Sequence, residues 1–183
     1  MAATDASARR RKAREAYRPK RTTCLLVAEA PPNDERYFYF EDVQTADWLF
    51  RGVMRVLFPS EFAKYARLPA QKRNLLGRLQ KKGFWLLDAV EDPLDGAPRG
   101  GPRRARYVLE KSDLLQRLKR EISDRHMSQK VPIVLIKATV YDALHAPLSR
   151  AGYNVVNKKK IPFPSSGQQL CFETLFQEVV DSL

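Results

Sequence analysis

Two carboxylates stand out because each closes an apolar run: Glu29 after Cys24-Leu-Leu-Val-Ala28, and Asp88 at the end of Phe84-Trp-Leu-Leu. An acid at the end of a buried strand is costly unless it is solvated or paired. Two of them in equivalent positions therefore point to a site, with general acid–base work or the reading of a ligand's donors as the chemistry. Pro31 and Pro32 follow at once, ending the first run and stiffening its exit. Lys137 stands just past a third apolar run, Val131–Ile136, and Phe163-Pro-Ser-Ser166 past a fourth, Tyr153–Val156. In a parallel sheet all four positions share the carboxyl edge, where ligands of open α/β sheets bind. The plainer alternative is that the acids cap backbone N–H groups or pair with Lys137 and nearby arginines.

Short apolar runs bounded by polar residues, prolines and glycines read as buried strands. Between them, helical spacing is predicted over Asp42–Phe58, Glu61–Ala66, Ala70–Lys81 with Gly83 just past the end, Ser112–His126, Ala138–Ala151 and Gln169–Asp181. Strands alternating with helices give an α/β fold, a three-layer sandwich around a central four-stranded parallel sheet. Residues 97–106, with Arg99, Arg103, Arg104 and Arg106 among glycines and prolines, read as a flexible loop suited to phosphate contacts, or as a mobile loop of incidental charge. Of the consecutive aromatics Tyr37–Phe40, one or two should face a surface on which a base or ring could stack. Trp48 and Met54 read as core.

The 183 residues carry 33 basic and 21 acidic side chains, a net charge of +12. Residues 1–22 hold eight of the basic and two of the acidic ones. Residues 1–21 form a basic tail, disordered or a helix that orders on a partner, ahead of a single domain over 22–183. The charge favours a polyanion, nucleic acid ahead of membrane; a merely solubilising tail is the alternative. No apolar run approaches the roughly 20 residues of a membrane span, no signal peptide is evident, and Asp5 and Glu15 argue against a transit sequence. An intracellular protein is expected. Cys24 and Cys171 read as reduced core residues, and neither they nor His126 and His145 have metal-ligand spacing. No metal or other cofactor is implied, and the Gly-rich phosphate cradles of dinucleotide and P-loop enzymes are missing.

With these segments in order, the chain resembles the uracil-DNA glycosylase superfamily. Val27-Ala-Glu-Ala-Pro-Pro32 with Tyr37–Phe40 looks like its first motif and stacking aromatic, Gly83–Val90 like its middle strand, and Phe163-Pro-Ser-Ser166 like its last motif. The resemblance spans about residues 23–182. It implies a monomeric, metal-free enzyme of DNA base excision repair, a glycosidase that flips a damaged base out of DNA and hydrolyses its N-glycosidic bond. On that pattern Glu29 and Asp88 are the catalytic candidates. Ala30, Pro31, Tyr37, Phe38, Phe40, Asp88 and Phe163 would surround the base. Lys137, Lys158, Lys159, Lys160, Pro164, Ser165, Ser166, Arg103 and Arg104 would hold DNA.

The departures from the pattern matter equally. Phe163 replaces a histidine that donates to the departing base, Ala30 a frequent carboxylate, Ala28 a glycine, and Asp88 a base-reading asparagine. Phenylalanine cannot donate, and losing one such donor costs ~10²–10³ in rate. Ionised aspartate only accepts, which disfavours uracil's O4, whereas a protonated Asp88 could mimic the amide. The expectation is a glycosylase-like protein acting on something other than plain uracil. The alternatives are an inactive nucleic-acid binder on the same scaffold and a small-molecule nucleoside hydrolase or nucleotide-binding enzyme.

Overall fold

Five apolar residues in a row can be buried only where both faces of a sheet are covered, and the strands show this. The computed structural model describes residues 2–34, 36–42, 47–64 and 70–183. In chain order the elements are α1 (Ala2–Ala16), β1 (Cys24–Ala28), α2 (Trp48–Leu57), α3 (Pro59–Lys64), α4 (Ala70–Lys82), β2 (Phe84–Asp88), α5 (Gly101–Lys111), α6 (Leu114–Ser123), β3 (Ile133–Leu135), α7 (Ala138–Arg150) and α8 (Gln169–Val180). Every residue of β1, β2 and β3 is buried. The strands form a parallel sheet in the order β2-β1-β3, with Ala28 opposite Asp88 and Val27 opposite Leu135. Helices flank it, α5 packing on α7 and α2 on α8.

The sheet has three strands, not four. The segment expected as the fourth makes only single bridges, Val155 to Ile133 and Ile161 to Ile136. Between them the buried Asn157 turns its side chain into the ladder. Its Oδ1 accepts from the Leu135 N–H at 2.9 Å and its Nδ2 donates to the Leu135 carbonyl at 3.2 Å. A side-chain amide thus occupies the place of a strand backbone and interrupts it.

Residues 101–106 of the segment read as a loop are helical, and so is most of the basic tail, read as disordered or as a helix that orders on a partner. Gly101 opens α5 at φ +68°, and Pro102 sits in its first turn, where a missing N–H costs nothing and a fixed φ helps. The residues read as loop-formers are the start signal of a helix. The basic N-terminal segment forms α1 and packs on the domain. Arg14, 9% exposed, donates to Glu91 at 3.0 Å, Arg10 pairs with Asp92 at 3.3 Å, and the Arg9 guanidinium lies 4.3 Å from the centre of the Phe40 ring. Ala and Arg are strong helix formers, and the acids after β2 give the arginines partners within the chain. Cys171, expected in the core, is exposed; Cys24 is buried. Val43 and Ala46 of the predicted helix Asp42–Phe58, and Tyr65 and Ala66 of the predicted helix Glu61–Ala66, lie outside the described residues.

Gly52 is the residue that lets α2 and α8 meet. A Cβ there would stand 2.9 Å from the Phe172 ring and 3.1 Å from Pro164, and Phe172 is fully buried. In an ordinary helix Gly→Ala gains about 0.5–1 kcal/mol. Here Gly52→Ala is expected to destabilise by about 1–3 kcal/mol through overpacking, read as a lower urea midpoint with an unchanged m-value.

Candidate functional site

Because β1, β2 and β3 run parallel, Glu29, Asp88 and Lys137 reach the same sheet edge. A cavity of about 520 Å³ opens there, within the range of small-molecule sites, ~300–1,000 Å³. Glu29, Asp88, Lys137, Arg104, Phe163 and Ser165 all line it.

Glu29 is 7% exposed and fully engaged. Arg104 grips it in a fork, Nε donating to Oε1 at 2.8 Å and Nη2 to Oε2 at 2.6 Å. Thr139 Oγ1 donates to Oε1 at 2.5 Å, and Lys137 Nζ to Oε2 at 2.5 Å. A carboxylate offers about four lone-pair sites, and four donors fill them. Burial would raise its pKa, but the hydrogen bonds from Arg104, Lys137 and Thr139 overcome that and hold it down to about 2. Glu29 therefore has neither a free lone pair nor the basicity to activate water. This is the pairing with Lys137 and a nearby arginine that the sequence offers as the alternative to a catalytic part. The geometry has a backbone cost: Lys137 sits at φ +83°, uncommon for a non-glycine residue, with its N–H bonded to the Ile161 carbonyl at 2.9 Å.

Asp88 is the opposite case. It is 5% exposed and lines the cavity. Yet among the described residues no donor reaches its carboxylate. Arg117 comes near but donates to the backbone carbonyls of Asp88 (2.7 Å) and Ala89 (3.1 Å). Burial pushes the Asp88 carboxyl up to about 7, against the opposing charges of Arg117, Arg14 and Arg10 and with some help from Glu91. At neutral pH the group is shared between a form that donates and a form that only accepts.

The remaining expected residues divide. Ala30, Pro31, Tyr37 and Phe38 line the cavity with Phe163 and Ser165, whereas Phe40 lies in the core beneath Arg9. Pro164 is buried behind the cavity against Gly52, and Ser166 is exposed outside its lining. Lys137 and Arg104, expected on DNA, turn inward onto Glu29. Lys159 pairs with Glu178 at 3.2 Å and Lys160 with Asp142 at 2.7 Å, both away from the cavity. Arg103, Arg99 and Lys158 are exposed and make no ion pair among the described residues.

Sequence reading missed two features. Trp48, which helical spacing assigns to the core, is 37% exposed at the start of α2 and lines the cavity. Asp47 also lines it, accepting from the Phe50 N–H at 3.1 Å as the cap of α2 and from Lys72 Nζ at 2.9 Å. Lys72 is 1% exposed and also donates to the Tyr37 carbonyl at 3.2 Å, tying the aromatic segment to α2. An aspartate just ahead of Trp48-Leu-Phe is the signal that marks Asp47 as an N-cap, whereas helical spacing alone starts the helix at Asp42; the pairing with Lys72 has no local signal.

Among the described residues no cluster of His, Cys, Asp or Glu could hold a metal ion, and no helix is long and apolar enough to cross a membrane. Fold and site together define an α/β protein with an acid-bearing cavity at its strand edge. No family model matches the chain, nor does any curated protein or solved structure.

The two acids should shape stability against pH in opposite senses. Glu29 binds protons less readily folded than unfolded, so its contribution is complete above pH 4.5 and disappears as pH falls through about 2. That gap corresponds to about 3 kcal/mol, the loss expected for Glu29→Gln at pH 7. Asp88 keeps its proton when folded, so stability falls as pH rises from 3.8 to about 7, by up to about 4 kcal/mol. Urea melts at pH 5 and pH 8 should show this fall in the wild type and a flatter response in Asp88→Asn.

Proposed function

We propose that the protein binds nucleic acid, takes an extruded base into the cavity and hydrolyses its N-glycosidic bond, with Asp88 as the acid. One observation carries this reading: a buried carboxyl with no hydrogen-bond partner among the described residues faces a cavity walled by the flat apolar side chains of Phe38, Trp48 and Phe163. Extruded bases need stacking walls and a polar group on their edge. Exposed Arg99, Arg103 and Lys158, within a net charge of +12, supply phosphate-binding capacity.

The chemistry then rests on few groups. As the base–sugar bond breaks, its electron pair stays on the base nitrogen and positive charge develops on the sugar. Protonated Asp88 gives its proton to the departing base, and water adds its oxygen to the sugar carbon and returns a proton to the carboxylate. A carboxyl titrating near 7 suits this work at neutral pH. Phe163 has no proton to give, and Glu29 is committed to Arg104, Lys137 and Thr139. That same commitment favours a second reading, a binder that keeps the base pocket without the hydrolysis.

Single-turnover assays on oligonucleotides carrying uracil, hypoxanthine, xanthine and other modified bases separate the two. Hydrolysis predicts base release that slows about tenfold per pH unit above about 7 and falls ~10²–10³ in Asp88→Ala. Salt-sensitive binding with no release at any base selects the binder.

A further inference from the structure

The hydrogen-bonding state of the cavity's acids says which base edge it selects. Among the described residues four carboxylates line it: Glu29, Asp47, Asp88 and Asp95. Glu29 has its four donors, Asp47 has Lys72 and the Phe50 N–H, and Asp95 accepts from Asn33. Asp88 alone of the four has none among the described residues. The unmet need of this cavity is therefore for donors, and a carboxylate meets it best with two at once, side by side and in its own plane.

The walls ask for the same shape. Phe38, Trp48, Phe163 and Leu86 bound the space with apolar surface, three of them aromatic, so a planar heteroaromatic ring is the natural occupant. Among the common bases, uracil flanks its edge N–H with two carbonyls, hypoxanthine sets its N1–H between a carbonyl and a bare C–H, and adenine and cytosine set an amino group beside an acceptor nitrogen. An acceptor facing a carboxylate oxygen repels it. Guanine alone presents two adjacent donors, the ring N1–H and the exocyclic 2-amino group.

We propose that the cavity selects 2-amino-6-oxopurines, guanine and its close relatives, through a paired hydrogen bond from N1–H and the 2-amino group to the Asp88 carboxylate. The inference rests on the base-pocket part of the reading above and not on hydrolysis. Its complex uses the ionised form of Asp88. The charged and titratable groups around that carboxylate are Arg117 from α6, Arg10 and Arg14 from α1, Glu91 after β2, and the phenols of Tyr37 and Tyr39. Recognition by the carboxylate and proton donation by the acid use the same atoms. A guanine-type base is thus held most tightly above pH 7, where hydrolysis is slowest.

Isothermal titration of the full chain with guanosine, inosine and uridine at pH 6 and pH 8 tests this, alongside single-stranded oligonucleotides carrying one dG, dI or dU. Guanosine or the dG strand should bind at least about tenfold tighter than its inosine or uridine counterpart at pH 8, the worth of one hydrogen bond to a charged group. Binding should weaken about tenfold at pH 6, as the ionised fraction falls. Asp88→Asn, its fold checked by thermal melting, should reverse the order, because an amide pairs one donor with one acceptor. Binding of the nucleoside identifies a free ligand, and binding of the strand alone identifies an extruded base; either supports the selection. Equal binding of inosine or uridine by the wild type overturns the selection and leaves the base pocket standing. Absence of binding by every nucleoside and strand overturns both.

Discussion

A carboxylate carried out of water at the end of an apolar strand loses several kcal/mol of hydration, and recovers it only if donors occupy its lone pairs. At Glu29 the chain meets this requirement from two separate segments: Arg104 on α5, and Lys137 with Thr139 at the start of α7. Those contacts fix where α5 and α7 stand relative to the end of β1. The α5–α7 packing and the Glu29 cluster are consequently one construction, and the left-handed backbone at Lys137 is tolerated because both its N–H and its ammonium are held. Removing the anion would leave a guanidinium and an ammonium facing each other with nothing between them.

Asp88, directly across the β1–β2 register from Ala28, has the same burial and, among the described residues, none of the same donors. Three arginines surround it without donating to its side chain: Arg117 spends its hydrogen bonds on backbone carbonyls and on Asp113, and Arg14 on Glu91. They act on Asp88 through space, which tempers the cost of burial without satisfying the carboxylate. Two of the three charges, Arg10 and Arg14, belong to α1. The basic N-terminal segment is thereby part of the electrostatics of the cavity, a role distinct from capturing a distant polyanion.

The strand ends and their convergence were legible because they depend on strong, local signals: apolar runs, prolines at 31 and 32, and the rule that parallel strands share an edge. Helices α4 and α7 were legible from periodicity, with Gly83 and Gly152 at positive φ just past their ends. What was not legible depended on partners distant in sequence. Nothing local shows that Arg104 and Lys137 point at Glu29 rather than outward, that Lys72 is buried on Asp47, or that the Asn157 amide enters the sheet. Helix α5 was hidden for a different reason, since Gly101 and Pro102 are equally good at opening a helix and at making a loop. Trp48 was misplaced because helical spacing puts it on the apolar face of α2, while its position in the first turn brings it to the cavity instead.

A buried acid at a cavity wall that no donor among the described residues reaches is a liability to folding, and a chain free to change it would gain stability by substituting an amide or an apolar residue. The rest of this edge shows no such tolerance: Glu29 is saturated, Asp47 caps a helix and takes an ammonium, and Asp113 takes the Arg117 guanidinium. Donors are abundant nearby: the arginines closest to Asp88 give some of their N–H groups to other acceptors, while Arg117 Nη1, Arg14 Nε and Arg10 Nε have no hydrogen-bond partner among the described residues. The arrangement keeps the Asp88 carboxylate clear while lowering the charge penalty around it. That is the condition under which an incoming ligand, rather than the protein, supplies the missing hydrogen bonds, and the energy withheld in folding becomes available to binding. The proposed roles of Asp88, as acid toward a departing base and as acceptor for a donor-rich one, both draw on that reserve.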